Sequence, residues 1–302
     1  MTATTKEILE RFQIRKSKRQ KKAFIDWLEP IVENSGYAMN VEKGSFGTRN
    51  IVIGDPEKAK VVFTAHYDTC AVLPFPNFIT PKNIWIYVLY QLLIVIAMFA
   101  VVFAVTFLAT WITGELAMWA YYLTLFGIVF LMMFGPANRH TANDNTSGVT
   151  AVIDLMNAMP QEQKESAAFI LFDLEEAGLI GSSSYASKHK KAMADKLLVN
   201  MDCVSDGGTM LFCFRKKSKA FAGRFQEVFP SDSRVESDFA VKSYIYPSDQ
   251  ASFPCGVGVA AMNKTKGGML YMDKIHTPKD TVYREENIAY LVEGCIRLTE
   301  SL

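Results

Sequence analysis

Two adjacent glutamates, Glu175 and Glu176, end the apolar run Ala167-Ala168-Phe169-Ile170-Leu171-Phe172 and precede Ala-Gly-Leu-Ile-Gly-Ser. Other metal-type side chains stand in similar places. His66 and Asp68 close Val61-Val62-Phe63-Thr64-Ala65, Asp144 lies in Asn143-Asp144-Asn145, Asp202 ends Leu197-Leu198-Val199-Asn200-Met201, and His276 opens His276-Thr277-Pro278. Zinc favours imidazole nitrogen and carboxylate oxygen. His66, Asp144, Glu176, Asp202 and His276 suit two zinc ions if one carboxylate bridges and each ion takes one histidine and one further carboxylate. Such a pair, about 3.5–4 Å apart, polarises a carbonyl and activates a shared water. Glu175 is left free to act as a base. Asp68 shares a strand face with His66 and can orient its imidazole.

Each piece alone has a plainer account, since an acidic pair is most often the solvated start of a helix. The repeated context shifts the balance: ligand-type residues follow apolar runs at Ala65, Phe172 and Met201. In open α/β sheets, sites form outside the carboxyl ends of strands.

Taken together, the motifs resemble the family 28 zinc metallopeptidases, which include di-zinc aminopeptidases and relatives of glutamate carboxypeptidase. The resemblance rests on Ala65-His66-Tyr67-Asp68-Thr69, Ala142-Asn143-Asp144-Asn145-Thr146-Ser147-Gly148, Glu175-Glu176-Ala177-Gly178-Leu179-Ile180-Gly181-Ser182, Asn200-Met201-Asp202, Ser248-Asp249-Gln250 and His276-Thr277-Pro278-Lys279-Asp280-Thr281, in the family's order. It implies a phosphorylase/hydrolase-like zinc peptidase fold and two zinc ions. Asp144 would bridge them, His66 and Asp202 would complete one site, and Glu176 and His276 the other. It also implies Glu175 as general base, a cis peptide at Asp144-Asn145, and a peptide substrate. Gln250 departs from the pattern, since many members have Ser-Asp-His there.

A long apolar insertion sets the chain apart. No charged residue occurs from Asn83 to Gly114, and a second charge-free run covers Leu116 to Asn138. At 1.5 Å per residue the first exceeds the ~30 Å hydrocarbon core of a bilayer. Aromatic residues cluster near the ends, and Pro81 and Gly135-Pro136 bound the segment. Residues 82–136 therefore read as a transmembrane helical hairpin inserted into a catalytic domain made of 1–81 and 137–302. Lys82 and Arg139 flank it on the enzyme side while Thr113-Gly114-Glu115 carries no basic residue. That predicts an integral protein of the cell membrane with two transmembrane helices and a cytoplasmic catalytic domain. The polar, basic residues 1–19 show no signal peptide. Five cysteines without a CxxC pattern point to reduced thiols.

A net charge of +1 argues against nucleic acid as a partner. Arg15-Lys16-Ser17-Lys18-Arg19-Gln20-Lys21-Lys22 reads either as a solvated helix face or as a contact with anionic headgroups.

Alternating strands and helices predict an α/β fold, with a mixed, mostly parallel sheet and helices on both faces. Expected strands are 48–54, 60–69, 168–172, 197–202, 209–214 and 257–262, the first two joined as a hairpin through Asp55-Pro56. Expected helices are a first one opened by a Thr4/Glu7 capping box, then 148–159, 182–190 and 285–302. The leading reading is a membrane-anchored aminopeptidase, with Tyr244 or Tyr246 as an oxyanion donor. The alternatives are an amidase for N-acyl amino acids or other lipid-like amides, and a non-catalytic scaffold. The complete ligand set argues against the last.

Overall fold

A computed structural model describes all of residues 1–302. The chain opens with helices α1 (Ala3–Arg11) and α2 (Lys18–Asn34), then strands β1 (Met39–Lys43), β2 (Arg49–Ile53) and β3 (Val61–His66). Apolar helices α3 (Ile84–Thr113) and α4 (Met118–Phe134) follow. Next come α5 (Gly148–Ala158), β4 (Ala167–Phe172), α6 (Ile180–Lys188), β5 (Leu197–Met201), β6 (Thr209–Phe214), α7 (Ala222–Val228), β7 (Glu236–Ala240), β8 (Gly256–Lys264), β9 (Leu270–Tyr271) and α8 (Glu285–Ser301).

One sheet runs in the order β1-β2-β4-β3-β5-β8-β6-β7, with β9 on β8. The centre, β4-β3-β5-β8, is parallel, and β6 pairs β7 in parallel. The remaining pairs, β1/β2, β2/β4, β6/β8 and β8/β9, are antiparallel. The sheet is thus mixed but not mostly parallel as expected, since four pairs are parallel and four antiparallel, with the parallel run confined to the centre and to β6/β7. Central strands are buried along their whole length, which explains their unbroken apolar runs. Alternate residues serve opposite faces. In β4, Phe169 and Leu171 join the large core beneath α1, α2, α5, α7 and α8, while Ala168, Ile170 and Phe172 pack toward Tyr185 of α6.

Several expectations need correction. β2 and β3 form no hairpin, because β3 takes β4 and β5 as parallel partners on its two edges and leaves none for β2. The cap of α1 is Thr2, whose Oγ1 accepts from Thr5 N at 3.1 Å, while Glu7 pairs with Arg11. The capping box belongs to α2: Gln20 N donates to Ser17 Oγ and Ser17 N to Gln20 Oε1.

The basic stretch is no uniform solvated face. Arg15 is fully buried between the two helices and donates to the carbonyls of Tyr67 and Phe12 and to Thr146 Oγ1. Lys21 is buried in a pair with Asp173. Only Lys18, Arg19 and Lys22 of the basic residues here are exposed. All five cysteines are buried and free.

Helix α3, 30 residues long, is the one helix long and apolar enough to cross a membrane. It is largely uncovered, with Trp85 81% and Trp111 75% exposed. Helix α4 is as apolar but has 17 residues, because Glu115–Ala117 are spent on the turn and the helix stops at Gly135-Pro136. The two helices pack together, Phe103 against Tyr121 with ring centroids 5.9 Å apart.

Candidate metal centre

The parallel centre of the sheet delivers three of the expected groups to one end. His66 is the last residue of β3, Asp202 follows β5, and the Glu175-Glu176 pair lies in the loop after β4. Asp144 comes from the turn Ala142–Ser147 that leads into α5, and His276 from the segment after β9. The peptide bond Asp144-Asn145 is cis.

These side chains meet. Asp144 Oδ1 lies 3.3 Å from His66 Nε2, and Asp144 Oδ2 lies 3.1 Å from His276 Nε2. Asp202 Oδ1 is 3.4 Å from His66 Nε2, and Glu176 Oε2 is 3.3 Å from His276 Nε2. Two donor sets result, sharing Asp144. Cys70 falls within 4.8 Å of the second set, and Glu175 falls within the same distance of His66 and Glu176.

The electrostatics are those of a cation site. His66 Nε2 and Glu176 Oε1 are buried without a hydrogen-bond partner, an arrangement that costs free energy unless something answers them. Burial pushes Glu176 up to about 8 against the pull of His276. It drives Glu175 well above the usual carboxylate range. Burial disfavours a charged His276, but Glu176 and Asp144 outweigh it and hold the imidazole up to about 9. Burial likewise opposes a charged Asp144, which the two imidazoles nevertheless hold below its ordinary value. Imidazole and carboxylate donors in two sets, with bare buried donor atoms, fit zinc.

Asp68 sits behind this centre. Its backbone oxygen lies 3.1 Å from His66 Nδ1, and its carboxylate, 3.6 Å from the same nitrogen, accepts from Glu175 N at 3.0 Å and Glu176 N at 3.3 Å. It therefore positions the glutamate loop as well as the imidazole.

Other positioning residues had no assigned role in the sequence. Asp280 accepts from Asn143 N at 2.8 Å and Asp144 N at 3.0 Å, clamping the shared aspartate. Asn145 donates to Met201 O and accepts from Gly148 N and Cys203 N. Asp280 lies inside the His276 motif and could have been found there; Asn145 adjoins Asp144.

Gln250 donates to Tyr246 O and accepts from Asn200 Nδ2, so it is bound into the sheet's end. Beside it Asp249 is buried with neither oxygen hydrogen-bonded, and burial pushes it up to about 7. The Tyr246 hydroxyl donates to Asp202 O at 2.8 Å and is not available as an oxyanion donor. Tyr244 lies instead on a separate basic groove with Lys242 and Arg215. His140 is exposed, and His189 stacks on Tyr185 beside Glu42, both away from the centre.

Residues 126–290 match the family model described as peptidase family M28. No curated protein matches the sequence. Solved structures share the fold. The LapA aminopeptidase of Legionella pneumophila is 14% identical with a TM-score of 0.55, over 98% of this chain and 69% of that one. A glutaminyl cyclase of Bacteroides thetaiotaomicron bound to N-acetylhistamine is 14% identical with a TM-score of 0.59, over 99% and 95%. A Zn-dependent exopeptidase of Parabacteroides distasonis is 14% identical with a TM-score of 0.55, over 98% and 95%. Identities this low establish a common architecture and leave the reaction to the site.

Proposed function

Because the chain belongs to peptidase family M28, whose match runs from residue 126 to 290, we propose that it is a membrane-anchored two-zinc aminopeptidase. The observation that carries the reading is Asp144, whose two oxygens face different imidazoles at 3.3 and 3.1 Å. A carboxylate so shared, with Asp202 and Glu176 completing the two sets, is what a bridged pair of cations requires. His66, Asp202 and Asp144 would hold one ion; His276, Glu176 and Asp144 the other.

Zinc held there would supply Lewis acidity toward a scissile carbonyl and would make a nearby water more acidic. Glu175 takes a proton from that water on its carboxylate and returns it to the leaving amine. Its burial makes it more basic than an ordinary carboxylate, as a general base requires. Asp68 holds the backbone of Glu175 and Glu176 so that one carboxylate stays on the donor set and the other on the water.

The catalytic unit comprises residues 1–81 and 137–302, and α3 and α4 form a hairpin embedded in the membrane. Seventeen residues span about 25 Å, the lower end of what a bilayer accepts. Lys82 and Arg139 flanking the base of the hairpin support a cytoplasmic catalytic unit by the positive-inside rule.

Metal analysis combined with hydrolysis of aminoacyl reporters tests this. The wild type should carry about two zinc ions per chain. Asp144→Ala should lose metal, whereas Glu175→Gln should keep it and lose turnover by about a hundredfold or more. Brisk hydrolysis by Glu175→Gln would remove it from this role.

A further inference from the structure

A cavity of about 400 Å³ opens beside the metal centre, between the start of α2 and the end of α4. Its lining includes Glu176 and Asp68 from the centre, the apolar side chains of Met133, Phe134 and Leu174, and Lys16. Phe134 is 57% exposed, and its surface continues along α4 through Phe130 and Leu131, also exposed. An apolar track thus leads from the proposed membrane segment to the donor sets. Lys16 is half-buried, and its ammonium donates to Met133 O at 2.8 Å. An ammonium has three protons to donate, and no other protein acceptor takes the remaining two. The other lysine of this cavity, Lys21, is committed to Asp173. Lys16 is therefore a fixed, partly desolvated cation with free donors beside a reaction centre, where a charge-assisted bond to an anion is strong.

We propose that this cavity selects substrates bearing a free carboxylate near the scissile amide, paired with Lys16, and an apolar group resting on Met133, Phe134 and Leu174. The amide part rests on the peptidase reading above; the carboxylate part does not. Two sources offer this chemistry: an N-acyl amino acid drawn from the bilayer, or the free C-terminus of a short peptide.

Calorimetry on zinc-loaded Glu175→Gln protein in detergent separates them without turnover. N-octanoyl-leucine is compared with N-octanoyl-leucinamide, and leucyl-leucine with leucyl-leucinamide. The carboxylate of at least one pair should bind about tenfold tighter or better. Preference in the acyl pair alone identifies the bilayer amphiphile, and in the dipeptide pair alone the peptide. Lys16→Gln should bring the ratio near one, and Lys16→Arg should retain it. Equal binding within both pairs overturns the proposal, as does a preference that survives Lys16→Gln. If Lys16→Gln fails to fold, the wild-type ratio and its retention by Lys16→Arg still decide. Wild-type protein that shows the ratio but hydrolyses nothing would sink the peptidase reading alone.

Discussion

Asp144 concentrates the charge problem of this centre: it serves two imidazoles, and carboxylates crowd around it. Without metal, protons must do part of the work of cations. Burial lifts Glu176 from 4.5 to about 8 and Asp280 from 3.8 to about 8, the latter with help from the charge on Asp144. The folded chain then keeps protons that the unfolded chain has released, so these groups lose stability as pH rises from about 4 to 8. His276, raised from 6.5 to about 9, contributes stability that is complete below 6.5 and lost as pH climbs through 9. All three act in the same sense between pH 6.5 and 8. Thermal unfolding of chelator-treated protein should fall steadily across that window, and zinc should flatten the slope. A melting temperature that rises with pH in the metal-free protein would contradict these pKa shifts. That His66, Asp144, Glu176, Asp202 and His276 come together with Glu175 beside them was legible because each lies at the end of an apolar run or in a recognisable motif. Asp280 and Asn145 were not assigned roles, because they act through backbone bonds across long stretches of chain, such as Asp280 to Asp144 N.

At the scale of elements, the glutamate loop is held between two rigid pieces. Helix α6 sits against the end of β4: a Cβ at Gly181 would lie 2.1 Å from Asp173 O and 2.7 Å from Asn50 Oδ1. Real side chains do not approach backbone so closely, so Gly181→Ala must push the first turn of α6 outward and drag the loop carrying Glu175 and Glu176 with it. Overpacking of this kind costs about 1–3 kcal/mol, measurable by urea unfolding, and kcat/KM should fall beyond what the stability loss explains. Gly178 is the contrast: it has a φ of +102° and open space around it, so alanine there strains only the local backbone. Equal effects of the two substitutions would show that the contact at Gly181 does not set the loop. The central strands were legible as unbroken apolar runs because both of their faces are buried. The edge strands β1 and β7 carry polar residues and were not expected. Pairing order was beyond a local pattern, since whether β2 lies beside β3 or β4 depends on which edges other strands have already taken.

Over the whole molecule, the apolar helices leave and return through segments stitched to the site. Val72 N donates to Pro136 O and Asn138 N to Cys70 O, while Leu73 N donates to His276 O. Yet the three buried cores draw their fully buried members from outside α3 and α4; from these helices only Tyr87 packs at the edge of one. The catalytic unit should therefore fold without the hairpin. Replacing residues 84–134 with a flexible linker of about four to six residues, enough to span neighbouring helix axes about 8–10 Å apart, should give protein that stays in solution without detergent. It should hold the same zinc complement as the full chain and hydrolyse a soluble aminoacyl reporter. Because the excision also removes Met133, the acceptor that fixes Lys16, any carboxylate preference should weaken even where zinc content is intact. Metal-free aggregates in place of that outcome would mean that α3 and α4 belong to the fold of the enzyme, and that dividing the chain at 82 and 136 is wrong.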